Sequence, residues 1–246
     1  IDRLIKTCPD LTGKSVQLRK FGQEIIKTRG GRRIHPVFAI PGGVNKALTQ
    51  QERDGILKNS DSAIDTLRIG LQIIKEWAER NMEDINKFAV YPTGYFGLTT
   101  PQNGLELYDG DVRLISREGV ELERFPGADY LEYIQEHVEP WSYLKFPFYK
   151  KLGYPDGVYR VGPLGRLNLA EKIDTPLAND ELKIFKSLNN GKPVENTLYY
   201  HYARLIECLF AIERVSVLCD DPDILSTDIL NTRQDFKGRG VGIIEA

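Results

Sequence analysis

The chain has 246 residues, a formal net charge of −2, 41% hydrophobic and 28% charged residues. That length supports a well-buried core without covalent or metal staples, and the near-neutral charge argues against nucleic acid as a partner. Three scattered cysteines, Cys8, Cys208 and Cys219, exclude a disulfide framework and point to a reducing, cytoplasmic setting. No apolar run reaches the ~18 residues of a membrane span, and no signal peptide opens the chain. The chain begins at Ile1, carries one methionine, Met82, and stops on the Gly-rich run Gly238–Ala246. These ends read as those of an internal piece of a longer polypeptide.

Leu18, Phe21, Gly22, Ile25 and Ile26 follow helical spacing and predict a helix over 15–28, with Ser15 as N-cap and Gly30 as C′ residue. Gly30–Val44 then sets two double glycines around Arg32, Arg33, His35 and Pro36. This is close-approaching backbone beside cationic and imidazole groups. Pro36 pushes His35 toward extended geometry. Thr49-Gln-Gln-Glu52 is a capping box that starts a second helix, with Gly55 and Asn59-Ser60-Asp61 as an interruption. Beyond it, Ala63, Ile64, Leu67, Leu71, Ile74, Trp77 and Ala78 line one face of a long helix over about 60–81.

After Lys87 the period changes. Leu105 and Leu107, Val112 and Leu114, and Val120 and Leu122 alternate with polar residues, with turns at Asp109-Gly110 and Ser116–Gly119. This predicts an antiparallel meander over about 88–124. Residues 125–168 are aromatic and Pro-rich and read as irregular, around a short helix near 130–136. Helices return at 179–188 and at 197–219, where Leu198, Tyr202, Leu205, Leu209, Ile212 and Ser216 form a stripe widened by Ile206 and Val217. Asp220-Asp221-Pro222 ends it. No linker or repeat divides the chain. It reads as one domain over 1–246, a helical body with a β-rich excursion at about 88–168.

Gly13-Lys14-Ser15 has the tail of a phosphate-binding loop, but the full pattern needs glycine where Cys8 stands, so it reads as a helix start. Gly238-x-Gly-x-Gly matches a dinucleotide fingerprint only loosely and shows no helix after it. Cys208 and Cys219 lie eleven residues apart on one helix, about 16 Å. They cannot share a metal and read as small buried apolar groups. His137 and His201 read as surface or hydrogen-bonded structural residues. His35 is open between a satisfied loop histidine and a group placed beside an anionic centre. Arg29, Arg32 and Arg33 are open between a solvated face and contact with an acidic surface or cluster.

Three segments, in order along the chain, resemble the large subunit of [NiFe] hydrogenases, closest to the cytoplasmic, bidirectional NAD(P)-linked type. They are Arg19-Lys-Phe-Gly-Gln-Glu24 through Pro41-Gly-Gly-Val44, Tyr159-Arg-Val-Gly-Pro-Leu-Gly-Arg-Leu-Asn168, and Gly238-Arg-Gly-Val-Gly-Ile-Ile-Glu-Ala246. The second usually has Ala where Gly165 stands. The third matches the start of a motif that continues Pro-Arg-Gly.

The resemblance implies an α+β, mainly α fold, a long-helix bundle with a peripheral antiparallel β meander. It implies a parent oxidoreductase that interconverts H2 with protons and electrons. Those electrons leave through the iron–sulfur clusters of a small subunit toward a diaphorase module and NAD(P). It places Arg32, Arg33, His35, Pro36, Gly42 and Gly43 at the small-subunit interface, with His35 near the proximal cluster. Glu245 falls next to the pocket arginine of the Pro-Arg-Gly motif, one layer back from the metal.

The family's Ni–Fe centre is held by four thiolates in two C-x-x-C pairs, and neither pair is in this sequence. The chain by itself is therefore expected to bind no cofactor or metal and to be inactive, a scaffold and subunit-interface piece. The rival reading is a non-catalytic, hydrogenase-like subunit of a respiratory complex, acting as scaffold or quinone-binding partner. A phosphate-loop nucleotide binder is a third and weaker alternative.

Overall fold

The computed structural model describes residues 9–232 and 238–244. They fall into two compact units, one from residues 9–72 and 211–232 and one from 73–210 and 238–244.

The first unit opens with α1 (Pro9–Gly30). The helix is already formed at Pro9, six residues before the predicted N-cap Ser15. Ser15 is therefore an interior residue whose hydroxyl donates to the Leu11 carbonyl at 2.8 Å. Gly13-Lys14-Ser15 is helix interior too, with no phosphate loop before it among the described residues. The left-handed residue that ends α1 is Gly31 (φ +76°), whose N–H donates to the Lys27 carbonyl, one position later than predicted. Two short strands follow, β1 (Ala39–Ile40) and β2 (Gly43–Val44), paired antiparallel.

The capping box forms as predicted. The Thr49 N–H donates to the Glu52 carboxylate, and the Glu52 N–H donates to the Thr49 hydroxyl. It starts α2 (Gln50–Arg80), which runs without the interruption expected at Gly55 and 59–61. Two of the residues expected to break it, and Thr66 further on, bond back into the same helix. Asn59, Ser60 and Thr66 donate to the carbonyls four residues earlier, Gly55, Ile56 and Ser62. Their polar groups are satisfied without leaving the helical path. The first unit's core joins Leu48, Ile56 and Cys219 with Phe21, Ile25, Val215 and Ile224.

The second unit adds α3 (Met82–Lys87), then β3 (Gly94–Thr99), β4 (Asp111–Ile115) and β5 (Glu121–Phe125). The strands pair antiparallel in sequence order, which is the predicted meander. β8 (Tyr159–Arg160) adds in parallel on the far side of β3, so the sheet is mixed, in the order β5-β4-β3-β8. Leu105 and Leu107 do not form a strand. The Glu106 carboxylate accepts the N–H groups of Leu107 and Tyr108, which takes donors that a ladder would need. Gly110 closes this wide loop against the Thr99 carbonyl rather than forming a two-residue hairpin. The Ser116–Gly119 turn forms as expected.

Residues 125–168 are more regular than predicted. The helix near 130–136 is only α4 (Tyr130–Tyr133), since Ile134 turns extended and starts β6 (Ile134–Val138). β6 pairs with β7 (Lys145–Tyr149) as an antiparallel hairpin. The Tyr159–Asn168 block contains α5 (Gly162–Leu169), all eight residues buried, with Pro163 in its first turn. α6 (Pro176–Ser187) begins three residues before the predicted Asn179, again on a proline. α7 (Tyr200–Asp220) follows a 3-10 turn at 197–199 and buries Tyr202, Ala203, Ile206 and Leu209. Val217, assigned to the same stripe, is exposed, as is Cys208, which the sequence reading buried; Cys219 is buried. The architecture is mainly helical with a small peripheral sheet, the predicted fold class in outline.

α5 lies against β3, and Gly165 is what permits the approach. A Cβ there would stand 2.8 Å from the Arg160 carbonyl oxygen, a backbone atom that cannot swing away. Gly165→Ala, the residue that the resembled block usually carries, is expected to destabilise this unit by about 1–3 kcal/mol in urea denaturation.

Candidate functional site

The Gly30–Val44 loop is fastened at both ends by its own chain. A Cβ on Gly30 would fall 2.2 Å from the Pro36 ring, and the Val37 N–H donates to the Gly30 carbonyl at 3.1 Å. Inside that ring, Arg32 Nε donates to the His35 carbonyl at 2.6 Å. His35 consequently takes φ +50°, the left-handed region, and not the extended geometry expected before a proline.

The three arginines have separate tasks. Arg29 donates to the Lys46 carbonyl at 3.0 Å and lies 4.9 Å above the Phe38 ring. Arg33 pairs with Glu24 of α1 and holds that carboxyl below its ordinary range. Arg32 spans the turn, and it and His35 remain exposed.

Gly42 and Gly43 have the close approach that the sequence suggested, but to this chain. Cβ atoms there would stand 2.5 Å from the Asn231 carbonyl oxygen and 2.0 Å from that of Ile229. The Val44 N–H donates to Ile229 at 3.1 Å, and the Asn231 N–H donates to Gly42 at 2.7 Å. The result is a braced loop that presents Arg32, Ile34 and His35 outward. Such a surface can donate hydrogen bonds to an anionic group. Glu245 lies outside the described residues.

The second unit holds a buried polar group that the sequence reading missed. Arg166 of α5 donates from Nε and Nη2 to the two carboxylate oxygens of Glu207 on α7, at 2.6 and 2.8 Å, with both side chains only 10% exposed. The C-terminal carbonyls of α5 are taken by cations. Lys186 Nζ donates to Asn168 at 2.8 Å and Arg113 Nη1 donates to Leu169 at 2.6 Å. The Asn168 amide exchanges two hydrogen bonds with the Val194 backbone, both 2.9 Å. Burial pushes the Lys186 ammonium down to about 8, with the Arg113 charge adding to the shift. Glu207 lies beside the predicted apolar stripe rather than within it, so no local signal marked it.

His137 bonds Glu139 at 2.9 Å and stacks on Tyr154, the structural role expected of it, and His201 is exposed. Gly238–Ile244 forms no helix, and Arg239–Ile244 line an open groove of about 1040 Å³ with Phe96, Tyr130 and Tyr159. The chain's donors do not fit a thiolate-held metal centre. There is no C-x-x-C pair, and Cys208 and Cys219 are far apart on α7. Among the described residues no group of three or more His, Cys, Asp or Glu is placed to hold an ion, and no helix is long and apolar enough to cross a membrane.

Breaking the buried pair from one side strands a charge. Arg166→Met is expected to cost about 3–5 kcal/mol by denaturant titration, and pairing it with Glu207→Leu should recover most of that loss. Lys186 gives a pH signature. Below about pH 8 both states hold the proton, and the folded state bears the cost of a buried ammonium. Between about 8 and the ordinary 10.5 the folded protein releases a proton that the unfolded chain keeps, so stability rises with pH. Measured against Lys186→Met, the unaltered protein should gain about 3 kcal/mol across that window.

No family model matches the chain. It is 43% identical over 243 residues to a vhu subunit of the F420-non-reducing hydrogenase of Methanocaldococcus jannaschii, covering 99% of this chain and 58% of that relative. It is 37% identical over 251 residues to the NAD-reducing hydrogenase HoxS subunit beta of Cupriavidus necator, covering 99% and 51%. A solved NAD+-reducing [NiFe]-hydrogenase in the H2-reduced state superposes with a TM-score of 0.94 at 34% identity, over 100% of this chain and 55% of that one. A [NiFeSe] hydrogenase of Desulfovibrio vulgaris Hildenborough, at 14% identity and a TM-score of 0.67, shares the fold. The chain thus spans about half the length of the relatives it matches. It is homologous to the large, catalytic-type subunits of the NAD-reducing and F420-non-reducing [NiFe] hydrogenases.

Proposed function

We propose that this chain is the central part of the catalytic subunit of a bidirectional [NiFe] hydrogenase, which interconverts H2 with protons and electrons and exchanges those electrons with NAD(P). One observation carries the reading. The whole chain superposes on a NAD+-reducing [NiFe]-hydrogenase chain with a TM-score of 0.94. The thiolates for a Ni–Fe centre belong to the rest of the polypeptide, and this chain contributes scaffold and contact surface.

In this reading the braced loop faces a small subunit that carries an iron–sulfur cluster. His35 and Arg32, both exposed, supply hydrogen-bond donors to that negatively charged group. Arg33, Pro36, Gly42 and Gly43 act by holding the loop, since each is committed to a partner within the chain. The assembly is a cytoplasmic hetero-oligomer that passes electrons to a diaphorase module, without membrane or nucleic acid.

The coding sequence on either side of this chain should encode two C-x-x-C pairs, and their absence would remove the hydrogenase reading. Metal analysis of the full-length protein should find one nickel per large subunit, and that of the 246-residue chain none. Stoichiometric nickel on the short chain contradicts the proposed division of labour. In the complete enzyme, His35→Leu should lower the midpoint potential of the nearest cluster in an EPR-monitored redox titration; an unchanged potential removes His35 from that cluster.

A further inference from the structure

Gly238–Ile244 lies on the second unit without joining its sheet. Among the described residues, nothing hydrogen-bonds to its backbone. A Cβ on Gly238, Gly240 or Gly242 would meet nothing within 4 Å. Glycines in open space leave the backbone free to turn. The principal hold is one side chain. Ile243 packs on the core cluster that includes Phe96, Leu98 and Phe125, whereas Ile244 beside it is 94% exposed.

Ile243 has a seat because Gly127 has no side chain. A Cβ on Gly127 would stand 2.7 Å from Ile243 Cγ1, closer than carbon atoms pack, but 3.8 Å from Ile243 Cβ, an ordinary contact. Gly127 opens a 3-10 turn (Gly127–Asp129), and its backbone is not left-handed. The turn itself therefore does not require glycine. The space it leaves is filled by Ile243.

The seated side chain stands beside buried charge. With Arg166, the residues Leu98, Leu107, Ile243 and Ile244 line a small pocket of about 100 Å³. Ile243 and Ile244 also line the open groove of about 1040 Å³, so they stand between the groove and the pocket. Arg166 is 8% exposed. Water admitted at this point would compete for the hydrogen bonds that its guanidinium gives to Glu207.

We propose that Gly238–Ile244 is a strap with two positions, latched by Ile243 in the seat that Gly127 leaves open, and that the latched strap keeps water from the Arg166–Glu207 pair. A segment without backbone bonds and with one main anchor belongs to the least stable part of a fold, the part that opens while the rest stays folded. Latched, the strap protects the register of α5. Released, it lets water reach the pair and loosens α5 from α7. The device is built within the second unit and does not depend on the hydrogenase reading.

The test uses the full-length protein. Trypsin cleaves after Arg239, which is exposed, so the peptide that ends there under brief digestion reads the released position. Ile243→Ala should raise its rate of appearance roughly tenfold. Gly127→Ala should raise it as well, by pushing Ile243 off its seat. Once residue 243 is alanine, the added methyl meets only a Cβ at 3.8 Å, so Gly127→Ala should then change little. General destabilisation would not give that dependence of one position on the other. Backbone amides of α5 should exchange several-fold faster in each single variant, with far-UV circular dichroism unchanged. Cleavage at Arg239 that is absent throughout, or equal in all variants, overturns the two positions. Effects of the two substitutions that simply multiply overturn the latch. Faster cleavage with unaltered exchange in α5 overturns the shielding of the pair. None of these outcomes touches the nickel content or the flanking C-x-x-C pairs, which judge the hydrogenase reading separately.

Discussion

The paired hydrogen bonds between Arg166 and Glu207 fix where α5 lies relative to α7, and much of the second unit is arranged around that constraint. An eight-residue helix is too short to persist on its own, and α5 has no face left to water. Every polar group it brings inside must find a partner in the fold. The guanidinium takes both oxygens of one carboxylate, which satisfies the fork geometry of each. At the far end Lys186 and Arg113 occupy the carbonyls of Asn168 and Leu169, where the helix dipole favours positive charge. Asn168 then ties the helix to the Val194 backbone through both its amide donor and its acceptor.

These interactions are expensive to assemble and specific once made. A buried ion pair adds little net stability over apolar residues of the same size, because desolvation offsets most of the attraction. Its value is positional, since any register of α5 other than this one would strand a charge. The same logic explains the depressed Lys186. An ammonium held by one carbonyl and crowded by Arg113 is poorly compensated, so burial dominates its titration. Gly165 completes the arrangement by removing the side chain that would keep α5 off β3.

Local chemistry was legible in the sequence where it acts within a few residues. The Thr49–Glu52 box, the Ser116–Gly119 turn and the apolar stripes of α2 and α7 are of this kind. What escaped was decided by contacts distant in the chain. α5 carries Gly162, Pro163 and Gly165, all poor helix formers, and exists because it is buried on every side. α2 runs past Gly55 and Asn59 because polar side chains that usually compete with a helix can also bond back into it. Glu207 has no local signal of its role, because its partner Arg166 lies 41 residues away. His35 is a subtler case. Proline restricts its predecessor toward extended backbone, yet the Arg32 hydrogen bond to the His35 carbonyl and the Gly30–Pro36 contact curl the loop the other way.

The double glycines show a local inference met within the chain itself. Gly42 and Gly43 do permit backbone to approach backbone, but the backbone is the chain's own 229–231 segment. That shifts the loop's outward chemistry onto Arg32, Ile34 and His35, since the glycines are already used up in holding it. The loop offers cationic and imidazole donors suited to an anionic neighbour. The β6–β7 tip offers exposed aromatic area, with Glu136 bonded to Lys145 and Glu139 to His137. The two surfaces differ in the interactions they can make. A contact that relies on donors is tuned by charge and salt, and one that relies on apolar area is tuned by fit.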